Sequence, residues 1–138
     1  MMPNTKAVGV AYSDPEFESV AVTGVISGAS VEVTGKLNGT QLDLNAPVIK
    51  TASFTLADVE NFIVCNGAGS ITVTFPSAAV SAGRVVWIKT IAAQTVVSAA
   101  TNVKPIGTNT AGTAILAASA GAWAMLVCDG TDWVVMAS

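Results

Sequence analysis

Histidine is absent from this 138-residue chain. That excludes His-based catalytic triads and His metal sites. Charge is scarce as well: Asp, Glu, Lys and Arg make up 11% of the residues, less than half the usual share of about a quarter. The six basic residues are spread singly and the net charge is −3. Phosphate backbones are held by clustered Lys and Arg, so no nucleic-acid partner is expected. No apolar run approaches the ~20 residues of a membrane helix, and no membrane association is expected. The start, Met1-Met2-Pro3-Asn4-Thr5-Lys6, lacks the apolar h-region of a secretory signal. The two cysteines, Cys65 and Cys128, have no metal-ligand spacing; each reads as a buried free thiol packing as a small hydrophobe.

What the chain has in quantity is apolar side chain: 51% of its residues are hydrophobic. Disordered chains show the opposite balance. A lone domain of this size needs more polar cover, so burial against other subunits is expected, obligate interfaces being like a core cut in half. The shortage is sharpest from residue 51 onward. There the charged residues are Asp58, Glu60, Arg84, Lys89, Lys104, Asp129 and Asp132, seven in 88.

Three regions follow. Residues 1–17 read as an extended arm: Pro3, Pro15 and the cluster Tyr12-Ser13-Asp14-Pro15-Glu16 interrupt regular structure. Val8, Val10, Tyr12 and Phe17 make it apolar enough to dock. Residues 18–46 alternate in the β manner, and Asn38-Gly39 between apolar residues is a strong hairpin signal. Residues 47–138 form a denser block. Its expected strands are Val48–Thr55, Asn61–Cys65, Ser70–Phe75, Arg84–Ile91, Gln94–Ser98, Val103–Ile106, Thr113–Leu116, Trp123–Cys128 and Trp133–Met136. Many short strands with frequent turns predict an all-β fold, a compact antiparallel β-sandwich or barrel-like domain carrying the arm. Both faces of Trp123–Cys128 are apolar, which predicts a strand covered on two sides, by the sandwich core on one and a neighbouring subunit on the other.

Candidate sites each have a plainer alternative. Gly67-Ala68-Gly69 precedes a strand, so it lacks the helix N-terminus of a dinucleotide site and reads as a turn. Asp14, Glu16 and Glu18 lack the tight loop of a calcium site. Asp129 and Asp132 could be a glycosidase pair. Hairpin chemistry explains Asp129-Gly130 better, Gly supplying φ > 0 and Asp bonding its local backbone. Trp87, Trp123 and Trp133 could stack on sugar; their apolar neighbours, Met125 among them, favour core or subunit-interface packing. No acid–base set converges in the sequence, so neither an enzyme nor a cofactor is expected.

Three segments carry a family resemblance. Ser70-Ile71-Thr72-Val73-Thr74-Phe75-Pro76-Ser77-Ala78, then Ala82-Gly83-Arg84-Val85-Val86-Trp87-Ile88-Lys89, then Cys128-Asp129-Gly130-Thr131-Asp132-Trp133 resemble a module of tailed-bacteriophage virion proteins. There, "ITVTLPSA" leads to "AGRxxxIK" and "DGTxW" closes the domain. The segment Lys6–Phe17 also looks like the start of small phage structural proteins. The clearer likeness covers about residues 51–136. Phe75 stands where the family often has Leu, and the chain has no shaft repeats like those of tail fibres. The resemblance implies a β-rich, trimeric capsid decoration protein, of cement or head-fibre type, on the outer surface of the virion. The major capsid protein and sister subunits would be its partners, with the arm against the shell and the β-hairpin region of residues 18–46 against the shell or neighbouring subunits. The same module implies, as the alternative, a tail-fibre or spike component that binds a host-surface receptor or glycan.

Overall fold

In residues 47–138 apolar residues recur at every second position in short runs, and short runs of this kind form strands that turn one face inward. The structure is a computed structural model and describes Thr23 and residues 44–138. The arm residues Val8, Val10, Tyr12 and Phe17, the Asn38-Gly39 hairpin and the strands expected across residues 18–43 lie outside the described residues.

Among the described residues ten strands follow one another: β1 Val48–Lys50, β2 Phe54–Thr55, β3 Phe62–Cys65, β4 Ile71–Thr74, β5 Val85–Thr90, β6 Val96–Ser98, β7 Val103–Lys104, β8 Ala114–Leu116, β9 Trp123–Cys128 and β10 Trp133–Ala137. A single 3-10 turn spans Ala78–Val80, and no α-helix occurs among the described residues. The fold is all-β, with two mixed sheets. One has six strands in the order β1-β3-β5-β9-β10-β7, the other four in the order β2-β4-β6-β8.

The expectation of antiparallel pairing needs correction. Five of the eight strand pairings are parallel. From β1 to β6 the chain alternates between the sheets, and each return lays a strand parallel to its predecessor. Parallel neighbours need a crossover connection, usually a helix; here the crossover is a strand of the opposite sheet. A run expected as one strand, Val48–Thr55, bends at Thr51 and Ala52 and passes from one sheet to the other. Side-chain alternation is blind to strand direction, and a corner between sheets uses the same residue types as a hairpin. Hydrogen bonding continues through the corners: Asn66 N donates to Lys50 O at 2.8 Å and Ile91 N to Cys65 O at 3.1 Å.

The inward faces share one core. The six-stranded sheet contributes Ile63, Cys65, Val86, Ile88, Ala124, Leu126, Cys128, Trp133 and Val135. The four-stranded sheet contributes Ile71, Val73, Val96, Ile115 and Leu116. Trp133 is fully buried and stacks on Phe75 with ring centroids 4.6 Å apart. Phe75 is thus one half of an aromatic contact from the end of β4 to β10. Both cysteines are buried and free, and burial pushes the Cys65 thiol up to about 11.

Gly67 shows how tightly the corners stack. A Cβ there would lie 2.8 Å from the Thr51 carbonyl oxygen and 3.2 Å from Gln94 Oε1, whereas one on Gly69 meets nothing within 4 Å. Gly67 N also donates to Gln94 Oε1 at 2.9 Å. The Gly-Ala-Gly sequence is therefore a corner that needs its first glycine. Gly67→Ala should destabilise the fold by ~1–3 kcal/mol, the range for forced overpacking. Gly69→Ala should stay within about 0.5 kcal/mol. Urea melts of the two variants beside the parent check the difference; equal midpoints would remove the packing argument.

Candidate functional site

Strand alternation puts a second set of side chains on the outside of the six-stranded sheet, and there the missing charge becomes visible. The register places these residues in rows. Ile49 lies beside Val64, Val64 beside Lys89 and Lys89 beside Trp123. In the next row Phe62 lies beside Trp87, Trp87 beside Met125 and Met125 beside Ala137. In the third, Val85, Val127 and Val134 follow one another and the row ends on Lys104. Across five strands this face is apolar, with Lys89 in one outer row and Lys104 at the far edge of another.

Trp87 and Trp123 lie diagonally across the β5–β9 pair and stack, with centroids 5.7 Å apart and planes inclined by 22°. Diagonal neighbours are within reach of large aromatic side chains. The two rings stay 39% and 40% exposed, and Ile49 is 64% exposed. A shallow depression of about 480 Å³ lies beside them, bordered by Pro47, Phe62, Val64, Trp87, Lys89 and Trp123. A second one, lined by Leu44, Asn61, Phe62, Arg84, Val85 and Trp87, adjoins it.

The residues singled out in the sequence therefore separate. Trp133 belongs to the core; Trp87, Trp123 and half-buried Met125 belong to the outer face. Strand β9 buries Ala124, Leu126 and Cys128, while Trp123, Met125 and Val127 face outward and keep some exposure. Among the described residues, the core covers its inner side.

The outer face of the four-stranded sheet has a different chemistry. Thr55 lies beside Thr74, Thr72 beside Val97 and Val97 beside Ala114. Small and hydroxylated side chains suit water; an aromatic and aliphatic face does not.

The polar residues mostly brace loops. Arg84 Nη2 donates to the carbonyl oxygens of Ala57 and Glu60, at 2.5 and 3.0 Å. Lys50 pairs with Glu60 at 2.6 Å. Burial opposes ionisation of Glu60, but the Lys50 ammonium and the Ala57 N–H outweigh it and hold the carboxyl below its ordinary pKa. Together they pin the turn at residues 57–60 to strands β1 and β5. No group of three His, Cys, Asp or Glu side chains able to hold a metal ion occurs among the described residues.

Asp129 and Asp132 are tied down in the same way. Lys104 Nζ lies 2.9 Å from Asp129 Oδ2 and 3.2 Å from Asp132 Oδ2. Asp129 Oδ1 accepts from the N–H groups of Thr131 and Asp132 at 2.8 and 2.7 Å, and Gly130 has φ of 92°. The arrangement is a turn clasped to the neighbouring strand by one ammonium.

The Asp132 N–H, then Lys104, then the Thr131 N–H hold the Asp129 carboxyl at about 2, down from 3.8. A depressed carboxylate pKa contributes stability above the unfolded value and loses it as pH falls through the folded one. Asp129→Asn should therefore flatten the acid side of the stability profile between about pH 4 and pH 2 and leave its neutral side parallel to the parent's. Thermal melts across that range read the effect; an unchanged acid limb would contradict it. Comparison with known proteins finds no family model, no curated protein and no solved structure that matches this chain.

Proposed function

We propose that this protein is a non-enzymatic structural component of a virion. It is a capsid decoration, or cement, protein that binds the major capsid protein on the outer surface of a phage head and stabilises the shell as a homotrimer. The observation that carries this proposal is the apolar outer face of the six-stranded sheet. It is rich in aromatic and aliphatic side chains and poor in charge, as the cores of permanent interfaces are. The phage setting comes from the resemblance of residues 70–78, 82–89 and 128–133 to the virion module. In this assignment the arm of residues 1–17, through Val8, Val10, Tyr12 and Phe17, grips the shell, and the β block supplies the contacts between subunits. Arg84 and Asp129, both within the resembling segments, brace turns, a role that suits a module built for rigidity.

A second assignment is a tail-fibre or spike component that binds a host receptor or glycan. It is favoured by one observation, the partly exposed Trp87–Trp123 stack. Sugars also require free hydrogen-bonding groups beside the rings, whereas Lys89 is the one charged residue lining the first depression and Arg84, in the second, is engaged with the carbonyls of Ala57 and Glu60. The decoration assignment is therefore preferred.

Deleting residues 1–17 should abolish binding to heads while the β block keeps its melting midpoint, read by co-sedimentation with heads and by urea denaturation. A truncated chain that decorates heads normally would remove the arm from the account. Labelling of tails in electron micrographs, with bare heads, would replace the first assignment by the second.

A further inference from the structure

We infer that the outer face of the six-stranded sheet, centred on Phe62, Trp87 and Met125 and flanked by Trp123, is the surface through which copies of this chain bind one another. The inference deepens the proposed function and rests on it for the self-association; what it adds is the place of the contact. The face is large enough. Strands lie about 4.8 Å apart and same-face residues recur about every 6.8 Å, so five strands and three rows span an area on the order of 500 Å². Three such faces turned toward a common axis bury on the order of 1,500 Å² in all. The relief of the two tryptophans and Ile49 adds to it.

The chemistry fits a second copy. The central row, Phe62, Trp87, Met125 and Ala137, carries no charge. The flanking charges, Lys89 and Lys104, sit in the outer rows, where a polar rim belongs. A face of this kind is a liability from the moment the chain folds. A partner present at matching concentration from the outset is another copy of the same chain. The opposite face, with Thr55, Thr72 and Thr74, provides an internal comparison, since it is formed by the same windings yet has no aromatic residue.

Trp87→Lys in the full chain should weaken self-association by at least about 30-fold, the effect of losing an interface hot spot. Met125→Lys should act in the same direction. Thr74→Lys, on the opposite face, should leave it unchanged. Sedimentation velocity over a range of concentrations reads the association. Far-UV circular dichroism and urea melts report whether each variant keeps its fold. A parent chain that stays monomeric at every concentration would overturn the proposal. So would monomers whose Trp87 and Trp123 are already shielded from a small quencher, which would assign the face to residues 1–43. Folded Trp87→Lys and Met125→Lys proteins that associate like the parent would also overturn it. Binding to heads is scored separately. A monomer that still decorates heads removes this inference and the homotrimer but keeps the decoration role, whereas an oligomer built on this face but absent from heads upholds the inference and removes the decoration role.

Discussion

Parallel strands cannot be joined by a tight turn; the chain must leave the sheet and come back. Most folds meet that need with a helix. This one meets it with strands of a facing sheet, so β2 is the link between β1 and β3, and β3 the link between β2 and β4. Each sheet is the connection of the other. Interleaving of this kind forces both inward faces to be apolar at the same levels, and it accounts for the single continuous core and for the close stacking of corners at Gly67 and Thr51.

The same winding gives the block two outer faces made from alternate residues of the same short runs. They differ in kind: threonine, valine and alanine on one side, tryptophan, phenylalanine, methionine and valine on the other. Core packing does not demand that asymmetry, since outward side chains take no part in it. The low charge of the whole chain is therefore concentrated in meaning on one sheet. Arg84, Lys50, Lys104 and their carboxylate partners are engaged in fastening turns and edges, and Lys89 is left among the apolar rows.

The sequence made the strands legible because period-2 alternation is a local signal. Trp123–Cys128 occurs as expected, and most other strands differ by a residue or two at their ends. Strand direction was not legible. Thr51 and Ala52 make a corner, yet their residue types also suit a continuing strand or a loop, and only the position of Ile63 beside Val48 reveals the parallel pairing. The outer face was legible in part. Trp87, Trp123 and Met125 stood out among apolar neighbours, but their separation from Trp133 depends on which alternate residues turn inward. Phe62 and Ile49 were missed as members of the face. The β3–β5 and β1–β3 registers would have found them, and register between parallel strands has no signature within either strand.

Interleaving also has a kinetic meaning. A hairpin can form alone and wait for its neighbours, but a strand whose neighbour lies a full winding away gains nothing until the intervening strand is in place. The windings from β1 to β6 repeat that condition in both sheets. Pairings this distant along the chain delay the reward for closing each loop and slow folding. The block is therefore expected to fold slowly, its two sheets closing together rather than one after the other.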